Sequence, residues 1–279
     1  MPKSNIVRPT IVEGIFYPDK KEQLESMVKS SLLSTNVVKG KKPFGIIAPF
    51  ASYLYSSSVF AASYSQLINE FYDTIIIISP VHKIAFPFIA LTESDAFSSP
   101  LGDIEIDKGD NDFLLKYNRE YIKLGEKYHL QEHSIELQLP YILTILENRV
   151  KILPIIIGEQ NTKFTILLSK ALFSLMQHNK DKKYLIVATT NLSYDVKYEK
   201  GVELDKKFAE ILVKMNADLL AEKLALGEVQ AYGGGCVVTM LRLAEMCGVK
   251  EVSILKMLNS GDITEEKFKV EGYIAASIY

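Results

Sequence analysis

The chain has no tryptophan, two cysteines and four histidines among its 279 residues. Each scarcity narrows the chemistry. Cys236 and Cys247 fall in one helix-like segment, eleven residues apart. At about 1.5 Å of rise per residue they stand roughly 16 Å from each other, beyond the reach of a disulfide. Unpaired thiols suit a reducing compartment, so a cytoplasmic location is expected. No apolar run approaches the ~18 residues of a membrane span. The opening MPKSNIVRPT carries no apolar core of the kind a signal peptide needs. Neither sign of charge dominates: 32 basic residues stand against 34 acidic, for a formal net charge of -2. Nothing in that balance asks for nucleic acid or an anionic membrane as a partner. Small lysine clusters such as Lys39, Lys41 and Lys42 read as solvated loop charges. Low-complexity stretches, repeats and Pro/Gly/Ser-rich linkers are also missing, so residues 1–279 are expected to form a single domain.

Several catalytic signatures are missing too. No G-x-S-x-G marks a nucleophile elbow. His129 and His133 are four apart, but Leu130 stands where a zinc-protease helix puts its glutamate. His129 is therefore read as structural, and His178, in the polar run QHNKDKK, as a solvated loop residue. The glycine triplet of YGGGC, at 233–235, precedes a helical run and can present backbone N–H groups to an anion. It lacks the lysine and spacing of a nucleotide-binding loop.

What is present is an alternation of short β-branched runs with helical periods. Strands are predicted at 44–49, 74–79, 86–92, 151–157, 183–189, 252–258 and 273–278. Helices are predicted at 20–33, 57–69, 131–147, 162–177, 202–215 and 235–247. The run IIII at 75–78 has no polar alternation, which demands a central strand covered on both faces. This pattern predicts a three-layer α/β/α sandwich with a mixed or mostly parallel sheet. In such folds function gathers where strands end, which directs attention to 49–52, 79–82, 190–194 and 232–235. His82, just past a buried strand, has the position of a ligand or acid/base group, with a surface loop histidine as the plain alternative. Glu132-His133-Ser134 is placed at a helix start, where His133 can carry a proton or serve as a satisfied structural group. Asn191 and Ser193 have the composition of a capped turn.

These segments, taken in order, resemble the Memo family, whose bacterial and archaeal members are also called AmmeMemoRadiSam system protein B. The resemblance runs from VRPTIVEGIFYP through PFASYLYSS, SPVH, SSPLGDIEID, QEHSIELQLPYI, ATTNLSYD and YGGGC to LNSGDITEEKFKVEGYIAASIY. It implies a fold similar to class III extradiol dioxygenases. It also implies a pocket where two histidines and a cysteine bind iron or copper, with an aspartate and a histidine nearby. Carried over residue by residue, the set is depleted. The family's first histidine is Phe50, the second survives as His82, and the cysteine falls on Tyr232, with Cys236 about one helical turn further on. Glu132, His133 and Ser134 survive, while the acid and histidine of the Ser-Asp-Leu-Ser-His motif are Asn191 and Tyr194. Phe50 holds no metal, and the amide of Asn191 does not titrate in a useful range.

The resemblance with these losses implies a protein without catalysis and without a bound metal. Its cleft, lined by Phe50, Tyr53, His82, Glu132, His133, Asn191, Tyr194 and Tyr232, would take a small molecule, a peptide or a protein partner. Eukaryotic relatives are implicated in binding phosphotyrosine peptides. The alternative is a remodelled oxidoreductase holding iron or copper through His82, Tyr194 and Tyr232, with His133 as acid/base. His82 and His133 are expected to find hydrogen-bond partners among nearby polar groups, the tyrosine hydroxyls included.

Overall fold

The computed structural model describes residues 6–36, 41–146 and 150–279. The first five residues, Lys39 of the lysine cluster and Glu147 at the end of the expected 131–147 helix lie outside the described residues. The strands are β1 (Val7–Arg8), β2 (Gly45–Ala48), β3 (Thr74–Pro80), β4 (Ile89–Leu91), β5 (Ala96–Phe97), β6 (Ile104–Glu105), β7 (Ile122–Leu124), β8 (Lys151–Ile157), β9 (Tyr184–Thr189), β10 (Val252–Asn259) and β11 (Gly272–Ile278). The α-helices are α1 (Lys21–Leu33), α2 (Tyr53–Tyr64), α3 (Lys108–Tyr117), α4 (Glu126–His129), α5 (Leu139–Leu146), α6 (Thr162–His178), α7 (Tyr198–Leu212), α8 (Ala217–Ala225) and α9 (Gly234–Met246).

Eight strands build one sheet in the order β10-β11-β2-β9-β3-β8-β4-β7. Its middle, β2-β9-β3-β8, is parallel, and β11 and β4 join it antiparallel on either side. The four isoleucines of β3 divide between two cores because successive side chains leave a strand on opposite faces. Ile76 and Ile78 pack under α6, α7, α8 and α9, and Ile75 and Ile77 under α1, α2 and α5. All four are fully buried, each worth roughly 1.5–3 kcal/mol of transfer free energy. The result is a sheet between two helical layers, with β3 held between β8 and β9.

Two helix boundaries differ from the sequence reading in ways that shape the cleft. α2 begins at Tyr53 rather than residue 57. Its first N–H is taken by the Phe16 carbonyl at 2.9 Å, so residues read as loop form its first turn. The helix predicted over 131–147 starts only at Leu139, after a 3₁₀ turn at Glu136–Gln138. Pro140 fixes that start, since a residue without an N–H is tolerated only in the first turn. Glu132 and His133 thus lie in irregular chain upstream of the helix and not at its N-terminus. The short strands β1, β5, β6 and β7 and the helices α3, α4 and α8 were not legible in the pattern.

A second, three-stranded sheet, β1-β5-β6, brings Arg8 into the interior. Arg8 pairs with Glu136, both side chains being fully buried. Arg8 Nε also donates to the His129 carbonyl at 3.1 Å, and its second terminal nitrogen to the Glu132 carbonyl at 2.6 Å. Glu136 accepts further from the backbone N–H groups of Ile11 and Val12 and from the Tyr17 hydroxyl at 2.7 Å. Removing one partner strands a buried charge. Arg8→Met is expected to lower stability by about 3–5 kcal/mol in urea unfolding. A loss below about 1 kcal/mol would mean that the pair is structurally idle.

Candidate functional site

The parallel strands β2, β9 and β3 all end at the same edge of the sheet, and the residues after them form a cleft. Pro49 closes β2 and delivers Phe50. Beyond Thr189 comes Asn191, and two residues past Pro80 comes His82. Phe50, His82, His133, Asn191, Tyr194 and Tyr232 all line one cavity of about 680 Å³. Tyr53 does not: its ring is buried among Tyr17, Phe60 and Tyr141, and its hydroxyl donates to the Leu137 carbonyl at 2.6 Å. Its place at the cleft is taken by Tyr55, two residues on along α2. Glu132 also stays off the surface, as the floor beneath the two histidines.

Glu132 organises the site from below. Its Oε1 is 2.7 Å from His82 Nδ1 and accepts from the Ser134 N–H and hydroxyl at 2.9 and 2.8 Å. Its Oε2 accepts the His82 backbone N–H at 3.0 Å. Ser134 is bonded in turn to Ser79 at the end of β3. Burial pushes the Glu132 carboxyl upward. The His82 hydrogen bond, the neighbouring imidazoles of His82 and His133 and the Ser134 N–H outweigh it and hold the group below the usual carboxylate range. A carboxylate against Nδ1 fixes the proton there and leaves His82 Nε2 as the free lone pair. That Nε2 is buried and has no hydrogen-bond partner. The partner of His82 is therefore Glu132, whereas the Tyr232 hydroxyl reaches only its backbone carbonyl, at 3.4 Å.

The rings above pack both edge to face and face to face. Phe50 meets His82 at 4.6 Å between centroids, and Tyr232 stacks on His82 at 4.6 Å with an interplanar angle of 8°. His133 lies 4.5 Å from His82 and contacts Phe16 at 5.1 Å. Burial drives the His133 pKa down to about 4, against the pull of Glu132, so its ring is neutral near pH 7. Asn191 is spent on structure: its Oδ1 accepts the Phe50 N–H at 3.0 Å and its Nδ2 donates to Glu271 at 2.9 Å. Gly233 explains the close approach of Tyr232 to the cleft. A Cβ there would lie 1.9 Å from the Thr189 carbonyl oxygen, so no other residue fits beneath the turn.

Sequence reasoning missed part of the wall. Glu271 and Tyr273, from the start of β11, line the cavity together with Phe16, Asp195 and Lys269. A glutamate directly ahead of the apolar run GYIAASI was the available signal. His129 is buried, with Nε2 3.2 Å from the Ala90 carbonyl, and His178 is the exposed last residue of α6, against Phe113. A cavity of about 650 Å³ near Asp107, Asp110 and Lys182 lies at the other end of the sheet. There Lys182 pairs with both Asp107 and Asp110.

The iron or copper implied by the resemblance does not fit the residues present. Of the three family ligand positions only His82 keeps a ligand of the family's type. Phe50 has no lone pair, and burial raises the Tyr232 phenol, which keeps its proton. Cys236 is buried in the core on the far face of the sheet, its thiol pushed well up by burial. Ligand atoms of His82, Glu132 and His133 do lie within 4.8 Å of one another. Glu132, however, already accepts from His82 and Ser134 through both oxygens. Two imidazoles fall short of the three or four ligands a stable site needs.

The large central sheet flanked by helices is an α/β fold consistent with that of the class III extradiol dioxygenases. The chain belongs to the Memo family: the profile of the Memo-like protein matches residues 8–277. A MEMO1 family protein of Sulfurisphaera tokodaii is 31% identical over 282 residues, covering 97% of this chain and 98% of its own. Another from Thermoplasma volcanium is 29% identical over 271 residues, covering 96% and 97%.

Buried His129 and half-buried His133 give a pH dependence with a definite sign. His129 and His133 are both held near 4 by burial, against about 6.5 in an unfolded chain. Between those values the unfolded state binds more protons, so stability falls as pH drops from 6.5 toward 4. The urea midpoint is expected to fall over this window by an amount equivalent to roughly 3 kcal/mol per histidine. His133→Gln should flatten part of the slope. A level profile from pH 7.5 to 4.5 would show that the rings are not buried as described.

Proposed function

We propose that this Memo-family protein is a non-catalytic binding protein of the cytoplasm that uses the cleft to hold a small molecule or a peptide side chain. The observation that carries this reading is Phe50. Its ring stands edge-on to His82 at the position where the resemblance places a metal ligand, and it helps convert that position into an aromatic wall. The remaining cavity of about 680 Å³ is within the roughly 300–1,000 Å³ typical of ligand sites. Both cysteines are free, as suits a reducing compartment. No helix among the described residues is long and apolar enough to cross a membrane.

A remodelled metal-dependent oxidoreductase is the second reading, and the His82–Glu132–His133 grouping favours it. Elemental analysis separates the two. Protein purified without chelator or affinity tag is expected to carry far less than one equivalent of iron, copper or zinc. Near-equimolar metal that disappears in His82→Ala would overturn the binding reading. Ligand-observed NMR with an aromatic fragment library supplies the positive test. Fragments are expected to bind the parent and to weaken at least tenfold in Tyr232→Ala. Indifference of every fragment to both Tyr232→Ala and Tyr194→Ala would leave the cleft without a role.

A further inference from the structure

Two acceptors at the cleft, the Glu271 carboxylate and His82 Nε2, keep hydrogen-bonding capacity that no donor of the protein fills. Glu271 takes one hydrogen bond on each oxygen, from Asn191 Nδ2 at 2.9 Å and from the Tyr273 hydroxyl at 3.2 Å. A carboxylate offers about four lone-pair positions, so two remain for a ligand. His82 Nε2 presents a buried lone pair with no partner. The charged residues of the wall are Asp195, Glu266, Lys269 and Glu271. Lys269, the one cation among them, sits on Asp195 at 3.0 Å, where both are well exposed. No lysine or arginine pairs with Glu271 among the described residues, and its carboxyl is held up by burial. Around these acceptors stand the rings of Phe16, Phe50, Tyr55, Tyr194 and Tyr232.

Resting on the binding reading above, we infer that the occupant is an organic ammonium ion with N–H donors and an attached apolar or aromatic group, its charge set against Glu271. An anion would meet that carboxylate and the negative faces of the rings. A neutral apolar ligand would strip water from Glu271 at a cost of the order of 1–3 kcal/mol and would leave His82 Nε2 as unanswered as before. A protonated amine answers both: it pairs with the carboxylate, donates to a free lone pair and rests on aromatic faces that attract cations.

The test uses three probes of nearly one shape: phenethylammonium, 2-phenylethanol and phenylacetate. Affinities are read by calorimetry at pH 7.5 on the full chain. Phenethylammonium is expected to bind at least tenfold more tightly than the alcohol, with phenylacetate weakest. Its N-trimethylated form, lacking N–H donors, should fall between the amine and the alcohol. Glu271→Gln keeps an oxygen to accept from Asn191, and its NH2 can donate to the Tyr273 hydroxyl oxygen, while the charge is removed. It should erase the preference for the amine without moving the thermal unfolding midpoint, and Glu271→Asp should restore part of it. Equal binding of amine and alcohol, or an amine preference that survives Glu271→Gln, overturns the inference. So does a signal that appears only when zinc or ferrous iron is added. Failure of all three probes overturns this inference alone, because the cleft reading is decided by the fragment comparison on Tyr232→Ala.

Discussion

A buried guanidinium holds this cleft together. Arg8 and Glu136 are both sealed from water, and each is surrounded by groups that answer its remaining hydrogen-bonding capacity. Such a pair is weak evidence for stability in itself, since desolvation can cancel its Coulomb attraction. Its value here is positional. One end of the guanidinium clamps the carbonyls of His129 and Glu132, and the carboxylate gathers Ile11, Val12 and Tyr17. The irregular stretch between α4 and α5 therefore has a fixed path although no helix or strand supports it. Glu132 and His133 are held on that stretch. The N-terminal segment also places Phe16, whose carbonyl receives the first N–H of α2 and whose ring packs on His133.

From this anchor the order of control runs upward. Glu136 fixes the backbone, the backbone aims the Glu132 carboxylate, and that carboxylate sets the proton on His82. A carboxylate behind an imidazole commonly raises its basicity and fixes its tautomer for a metal or a proton transfer. Here the outward nitrogen meets phenyl and phenol rings. The orienting device is complete, while Phe50 and Tyr232 stand at two of the three positions where the resemblance places metal ligands. Its remaining capacity is to accept a hydrogen bond at a fixed point.

The fold was legible where chemistry leaves few options. Four consecutive isoleucines require cover on both faces, and β3 lies between β8 and β9 with a core on each side. The 131–147 region was misread because its apolar spacing looks helical throughout, while Pro140 and the saturated side chains of Glu132 and Glu136 hold the first residues out of a helix. Strands of two or three residues, such as β1 and β5, leave no period to detect. In the cleft, Phe50, His82, Asn191 and Tyr194 were visible because each follows a strand. Glu271 was not, since it precedes β11 and reaches the cavity only because β11 runs antiparallel to β2. Tyr53 was misplaced for a related reason: extending α2 back to residue 53 turns its ring inward and brings Tyr55 to the cleft.

The substitution at Phe50 has an electrostatic consequence beyond the loss of a ligand. A metal ion in this cleft would supply positive charge to the surrounding acids. Within the protein itself, Glu132 is balanced by hydrogen bonds from His82 and Ser134, and Asn191 donates to Glu271. The deeper carboxylate is thus internally satisfied, while the outer one is only half satisfied. Burial makes that difference costly, because a carboxylate loses water faster than two neutral donors can replace it. The same rings that exclude water also present faces favourable to a cation. An aromatic wall and an under-compensated acid therefore act in the same direction: both lower the free energy of positive charge at the point where His82 Nε2 already waits for a donor.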